Sequence, residues 1–125
     1  MNPDKLFVYG ILKRGFQLDL EKRGAKFIGK AILLDAALYC LGSGVGMKLE
    51  PGKVAHGEVF KIPKDKWSWL DSIEGHPYNY RRVIVEPLLT NLGEAGMTMK
   101  TWAYEFPHPT QSIIESGNYE YMERY

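Results

Sequence analysis

The sequence predicts an α+β fold, in which several short strands form one sheet with one or two helices packed beside it. Apolar runs rich in Ile, Leu, Val and Tyr recur along the chain between turn residues, which is typical of strands. The segment 63–74 has instead the apolar spacing of a helix. Strand and helix signals do not alternate regularly, so we do not expect a doubly wound parallel sheet. We expect sequential strands to pair and to close the sheet into a small barrel.

The strand predictions rest on apolar runs that end at turn residues. The first run, at 6–9, passes directly into Gly10, which indicates a buried strand entering a turn. A hairpin loop is predicted at 92–96. The predicted strands are 6–9, 25–34, 36–41 (joined to the preceding strand near Asp35), 54–62, 80–89 and 99–106.

The clearest helix signal spans 63–74, which begins at a proline suited to a first helical turn and stops before a glycine. Trp67, Leu70 and Glu74 lie on one stripe of this helix, and we expect that stripe to face the core. A second, short helix is predicted over 16–23, also ended by a glycine.

Composition indicates one soluble domain spanning residues 1–125, because the chain is 125 residues long and 45% hydrophobic. Sixteen basic residues nearly balance 15 acidic ones, for a net charge of +1. Bulk electrostatics therefore recruits neither nucleic acid nor an anionic membrane, and a small polar partner fits better. The oligomeric state is not predicted by these features.

The compartment is predicted from cysteine usage and from the N-terminal residues. Cys40 is the single cysteine, so no intrachain disulfide forms and a reducing compartment is favoured. Its neighbours are Leu and Tyr, so we expect a buried core thiol. The first residues lack a signal-peptide pattern, and no apolar run approaches the roughly 20 residues that span a bilayer. We expect a cytoplasmic protein.

Familiar motifs for metals, nucleotides and nucleophiles are not recognisable. The glycine-rich segment 42–46 lacks the spacing of nucleotide-binding loops and of a nucleophile elbow, so we interpret it as a flexible turn. The histidines His56, His76 and His108 show no ligand spacing with Cys40 or with carboxylates. We therefore expect no metal and no cofactor.

A first candidate site is the turn that follows the strand at 6–9. An apolar strand that runs into Gly10 leaves several backbone N–H groups near its carboxyl end. Such a turn forms a nest for a carboxylate, and Gly10 lets a ligand approach the backbone closely. The alternative is a plain exit from the strand, with Lys13 and Arg14 as solvated cations. The pattern of residues alone favours this alternative.

A second candidate is Glu74, in the last turn of the predicted helix. Burial and the negative end of the helix dipole both raise the pKa of a carboxyl placed there. A carboxylate on the core-facing stripe of a helix and at the negative end of its dipole is unfavourable on both counts. Such combined departures from local preference are typical of a functional site. The alternatives are a solvated terminal glutamate and a structural ion pair with Arg82.

Together, these two segments resemble the gamma-glutamylcyclotransferase-like superfamily, in its AIG2-like or gamma-glutamylamine cyclotransferase branch. The family motif F-V-Y-G-[ST]-L is matched at 7–12, with isoleucine at position 11. The motif L-D-x-x-E-G is matched at 70–75 and is followed by Y-x-R at 80–82. The resemblance extends over roughly 6–106, which is most of the chain.

The resemblance implies a small mixed β-barrel with flanking helices and a pocket at one end. It also implies that backbone groups of the turn hold the substrate, and the binding residues carried over are Tyr9, Gly10, Ile11 and Leu12. Glu74 is implied as the catalytic general acid and base. Tyr80 and Arg82 match the strand motif and are candidates for binding substrate or bracing the pocket.

The implied reaction is the cyclisation of a gamma-glutamyl amine or peptide to 5-oxoproline, with release of the amine. Such a substrate carries its own amine nucleophile, so the enzyme has to supply a base and a binding turn. The runner-up is a non-catalytic module that binds a gamma-glutamyl compound, motivated by Ile11 where Ser or Thr is usual. A third hypothesis, an interaction domain, relies on the aromatic tail at 119–125, for which covering the barrel is the favoured role.

Overall fold

The computed structural model describes residues 3–16, 18–41, 44–90 and 96–119. Its α-helix in these ranges is α1 (Trp67–Glu74), and 3₁₀ turns occur at Glu21–Arg23 and Lys64–Lys66. The strands are β1 (Lys5–Val8), β2 (Lys26–Cys40), β3 (Val45–Lys61), β4 (Arg81–Val85), β5 (Leu88–Leu89) and β6 (Thr101–Glu105).

All six strands form one mixed sheet in the order β4-β6-β1-β3-β2-β5. β1 pairs in parallel with β6, whereas the other neighbours are antiparallel. The predicted α+β class is confirmed. Within the described ranges β4 and β5 do not pair with each other, so the sheet is open and "barrel" describes it only loosely. β5 is only two residues long and offers little edge for closure.

β2 and β3 form one long antiparallel hairpin, where the sequence predicted three shorter strands. The break expected at Asp35 is a register shift between Leu34 and Ala36, with Asp35 at a φ of 59°. The Asp35 carboxylate accepts a hydrogen bond of 2.9 Å from the N–H of Gly52 across the hairpin. This side chain-to-backbone bond holds the irregularity within the ladder, so both strands continue through it.

The predicted helix over 16–23 is wrong, because only Glu21–Arg23 forms a 3₁₀ turn among its described residues. It ends at Gly24, with a φ of 96°, as the sequence indicated. Local hydrogen bonds to one aspartate compete with helix formation here. The Asp19 carboxylate accepts from the backbone N–H groups of Gly15, Glu21 and Lys22.

The helix predicted at 63–74 is confirmed as a 3₁₀ turn that leads into α1. The strand predicted at 80–89 is divided into β4 and β5, because Pro87 has no N–H for the ladder. The strand predicted at 99–106 is confirmed in shorter form as β6. Of the hairpin loop predicted at 92–96, residues 92–95 lie outside the described part of the chain.

β1 is buried on both faces. Leu6 and Val8 pack in one apolar cluster with Leu70 of α1, whereas Phe7 and Tyr9 pack in the other. This double burial explains why the strand is an unbroken apolar run in the sequence rather than an alternating one.

The segment after β6 lies along the long hairpin. Ile114 donates a backbone hydrogen bond to Leu38, and His56 donates one to Gly117. The ring of Tyr119 packs against the Phe7 cluster. Residues 120–125 of the aromatic tail are outside the described ranges.

Cys40 is exposed, so the expectation of a buried thiol is wrong. It pairs with Val45 in the last register position of the hairpin, beyond the core residue Leu38. Neighbouring strands cover less of a side chain at the end of a ladder, and the apolar sequence around Cys40 does not reveal this.

Gly75 ends α1 and is the first position to test. Its φ is 66°, and a Cβ there would lie 2.5 Å from Nδ2 of Asn79. We expect Gly75→Ala to lower the free energy of unfolding by about 2–3 kcal/mol, from the left-handed backbone and the steric overlap together. Denaturant titration measures the loss.

Gly52→Ala is the matched control, because Gly52 has a φ of 85° but no atom lies within 4 Å of the place that a Cβ would occupy. It should lose about 1 kcal/mol from the backbone alone. Equal losses in the two variants would show that Asn79 does not restrict the end of α1.

Candidate functional site

A cavity of about 220 Å³ lies at the carboxyl end of β1. Its wall comes from β1 and the turn that follows, the start of β3, the last turn of α1, and two tyrosines. The sequence-predicted residues that line it are Tyr9, Gly10, Ile11, Leu12, Glu74 and Tyr80. The fold therefore brings the two predicted segments, far apart in the chain, to one site.

The turn after β1 is held through its carbonyl groups. Lys13 donates to the carbonyl of Gly10, while Leu18 and Leu20 donate to those of Ile11 and Leu12. Within the described ranges, the N–H groups of Gly10, Ile11 and Leu12 donate to no protein acceptor. Three consecutive donors beside a cavity form a suitable site for an anion.

Gly10 has a packing role in this turn. A Cβ at Gly10 would lie 2.5 Å from Cγ1 of Val45, which also lines the cavity. The sequence predicted that this glycine lets a ligand approach the backbone closely. In the structure, the space it leaves is taken by the valine side chain, so Gly10 allows β3 to approach the turn.

Glu74 is the last residue of α1 and is half-buried in the cavity wall. Burial raises the pKa of its carboxyl to about 7. Its main-chain carbonyl accepts a hydrogen bond of 3.2 Å from the N–H of Tyr80. No described residue donates a hydrogen bond or ion pair to the carboxylate, so it is able to take up or release a proton near neutral pH.

The cavity tyrosines stay protonated. Burial and the nearby Glu74 carboxylate raise the pKa of Tyr80 to about 12, and burial holds the pKa of Tyr9 well above its usual value. Tyr9 donates a 2.6 Å hydrogen bond to the carbonyl of Tyr104, and Tyr80 donates one of 2.8 Å to that of Val45. The hydroxyls of Tyr9 and Tyr80 therefore both donate to backbone carbonyls. Glu74 is the group in the cavity wall whose pKa suits proton exchange near neutral pH.

Arg82 is not among the residues that line the cavity. Its Nε lies 3.1 Å from Oδ1 of Asp71, and its guanidinium lies 5.0 Å and 4.8 Å from the ring centres of Trp67 and Trp102. The ion pair with Glu74 weighed as an alternative is therefore wrong, because Asp71 takes that place. The position of Arg82 suits bracing, one of the two roles expected for it.

Sequence reasoning missed Tyr104, Ile73 and Val45, which also line the cavity. Tyr104 reaches the site because β6 pairs in parallel with β1, and no local sequence pattern predicts this pairing. Of the glycine-rich segment 42–46, Gly44 lines the cavity, Val45 and Gly46 begin β3, and residues 42 and 43 are outside the described ranges.

Among the described residues, no three His, Cys, Asp or Glu side chains gather closely enough to hold a metal ion. No helix in the same ranges is long and apolar enough to cross a membrane.

The family model for gamma-glutamyl cyclotransferase, AIG2-like, matches residues 6–121. The chain belongs to this family. The predicted resemblance is therefore confirmed, and the match includes both the turn after β1 and the end of α1.

Similar proteins of this cyclotransferase family occur in archaea and bacteria. A relative from Methanocaldococcus jannaschii with a provisional gamma-glutamylcyclotransferase name is 32% identical over 119 residues, covering 92% of this chain and 94% of the relative. The gamma-glutamylcyclotransferase family protein YtfP of Escherichia coli K12 is 29% identical over 115 residues, with 92% and 95% of the two chains covered.

Solved structures share the fold. An uncharacterised protein of Pyrococcus horikoshii superposes with a TM-score of 0.74 at 25% identity, over 97% of this chain and 93% of the other. A mouse AIG2-like protein gives a TM-score of 0.79 at 20% identity, over 96% and 90% of the two chains. The arrangement of sheet and helix in this chain is thus the arrangement seen in these solved structures.

The raised pKa of Glu74 predicts a pH-dependent cost to stability. Below the usual value of 4.5 the carboxyl is protonated in both the folded and unfolded states, and nothing is lost. As the pH rises from 4.5 through about 7 the unfolded state ionises first, so stability falls until the loss is complete above pH 7. The full loss is about 3 kcal/mol.

Glu74→Gln removes this ionisation. We expect the variant to match wild type near pH 4 and to be more stable by up to about 3 kcal/mol near pH 8. Chemical denaturation at both pH values measures the difference. Glu86→Gln, at an exposed glutamate, is the control and should stay within about 0.5 kcal/mol at both. A constant difference between the Glu74 variant and wild type would refute the raised pKa.

Proposed function

We propose that the chain is a gamma-glutamylcyclotransferase that converts a gamma-glutamyl amine or short gamma-glutamyl peptide to 5-oxoproline and releases the amine. The observation that carries the proposal is Glu74, whose carboxyl has a pKa of about 7 in a cavity that it shares with the turn after β1. Membership of the gamma-glutamyl cyclotransferase, AIG2-like family supports the same reaction class.

The reaction is intramolecular. The α-amine of the substrate attacks its own γ-carbonyl carbon, a C–N bond forms, and the bond from that carbon to the leaving nitrogen breaks. Glu74 removes a proton from the attacking ammonium and returns one to the leaving amine, so it begins and ends the cycle as a carboxylate. A group with a pKa near the working pH performs both transfers well.

The turn after β1 is proposed to bind the anionic part of the substrate. Its three N–H groups, which donate to no acceptor in the part of the chain that the structure describes, suit either the α-carboxylate or the oxyanion that develops on the γ-carbonyl. Ile11 supplies a backbone N–H as Ser or Thr would, so its apolar side chain does not remove this contact. Tyr80 provides a wall next to Glu74, and Arg82 stabilises that wall from outside the cavity.

The cavity volume bears on the size of the substrate, and the cysteine content bears on the compartment. A γ-glutamyl compound is a small polar molecule that a cavity of about 220 Å³ can enclose in part. We propose a cytoplasmic location, since the sequence has a single cysteine and is suited to a reducing compartment.

Glu74→Gln tests the proposal directly. We expect release of 5-oxoproline from a panel of γ-glutamyl amines and dipeptides to fall by about 10²–10⁴-fold, because glutamine cannot accept the proton. Substrate binding, measured by calorimetry, should stay within a few fold of wild type. Glu86→Gln serves as the control and should retain full turnover.

Two results would count against the proposal. Near-normal turnover by Glu74→Gln would remove Glu74 from the chemistry. Saturable binding of γ-glutamyl compounds by wild type, with no 5-oxoproline formed, would favour the non-catalytic binding module instead.

The pH profile of kcat/KM gives a separate prediction. Because Glu74 must be deprotonated to accept the first proton, kcat/KM should rise about tenfold per pH unit below pH 7 and level off above it. A profile with its midpoint near the ordinary glutamate value of 4.5 would contradict a raised pKa in the active enzyme.

A further inference from the structure

We propose that Asp71 and Tyr104 are positioning residues, which together set the distance between Glu74 and the turn that follows β1. The inference rests on the proposed function, in which the carboxylate and the turn act on one substrate. Its first support is that Tyr104 is hydrogen-bonded to both halves of the site.

Tyr104 connects β1 to α1 through two different atoms. Its hydroxyl donates a 2.7 Å hydrogen bond to Oδ1 of Asp71, and its carbonyl accepts the 2.6 Å hydrogen bond from Tyr9. Tyr9 is the first residue of the binding turn, and Asp71 lies one helical turn before Glu74. A single residue of β6 thus fixes both segments relative to each other.

Asp71 is held firmly enough to serve as the anchor. Its Oδ1 also lies 3.1 Å from Nε of Arg82, and the side chains of both residues are largely buried, at 26% and 23% exposure. The guanidinium of Arg82 also lies close to the rings of Trp67 in α1 and Trp102 in β6. A largely buried ion pair next to two aromatic rings confines the end of α1 more strongly than an exposed pair does.

The Tyr104 hydroxyl remains a donor at every working pH. Burial, the hydrogen bond to Asp71 and the Asp71 charge hold the pKa of Tyr104 far above its usual value. The link to Asp71 is therefore a hydrogen bond from a phenol to a carboxylate, a strong type. Small errors in the placement of a catalytic group lower rates by large factors, so loss of this bond should reduce turnover more than binding.

Tyr104→Phe removes the bond and leaves the ring and the backbone carbonyl in place. We expect kcat to fall by about 10-fold or more, KM to stay within about twofold, and the midpoint of the pH profile to stay near 7. Tyr39→Phe is the matched control, because Tyr39 also donates to a carboxylate, that of Glu50, but does not line the cavity. It should leave kcat and KM unchanged.

A double-mutant cycle separates positioning from direct contact with substrate, since Tyr104 also lines the cavity. Asp71→Leu removes the acceptor of the Tyr104 hydroxyl, and Asp71 does not line the cavity. If the hydroxyl acts through Asp71, adding Tyr104→Phe to Asp71→Leu lowers kcat no further. An undiminished effect of Tyr104→Phe in that background, or a rise in KM with kcat unchanged, would overturn the proposal.

Amide hydrogen exchange tests the inference without relying on turnover. The N–H groups of His76 and Tyr80 bond to the carbonyls of Asp71 and Glu74 at the end of α1. Their exchange should accelerate by about 10-fold in Tyr104→Phe and stay unchanged in Tyr39→Phe. If wild type forms no 5-oxoproline, the proposed function fails. The amide exchange rates then test by themselves whether Tyr104 holds the end of α1 in place. Equal exchange in wild type and Tyr104→Phe overturns it.

Discussion

The site depends on the position of β1, a strand enclosed on all sides. β3 and β6 bind its two backbone edges, and apolar clusters cover its two faces. A shift or rotation of the strand would expose the side chains of one face, either Leu6 with Val8 or Phe7 with Tyr9. It would also break hydrogen bonds on both edges. The turn that follows β1 therefore has a fixed place, and its carbonyls are occupied while its N–H groups remain at the cavity.

Two carboxylates three residues apart in α1 have opposite environments. Asp71 is paired with Arg82 and accepts a hydrogen bond from Tyr104. Glu74 has no such partner among the described residues, and burial alone raises its pKa to about 7. The first arrangement holds the helix end in place. The second arrangement lowers stability at neutral pH. The raised pKa that causes this loss is also the property that a proton-transferring group requires.

Local patterns predicted the elements whose ends are marked by local chemistry. α1 begins near a proline and ends at Gly75, whose φ of 66° favours glycine, so its C-terminal boundary was predictable. The segment 16–23 failed because hydrogen bonds to Asp19 replace helical ones. The Asp35 irregularity was placed correctly but interpreted as a strand end, since continuation of the hairpin depends on Gly52 across the ladder.

The sequence by itself determined the α+β class, the family motifs at both ends of the site and the candidate base Glu74. These depend on apolar periodicity and on residue types at short spacing, which are local properties of the chain. Only the tertiary structure decided that Tyr104 reaches the cavity, that Arg82 pairs with Asp71 instead of Glu74, and that Gly10 makes room for Val45. Each of these depends on which strands become neighbours, and strand order is set by the packing of the whole core.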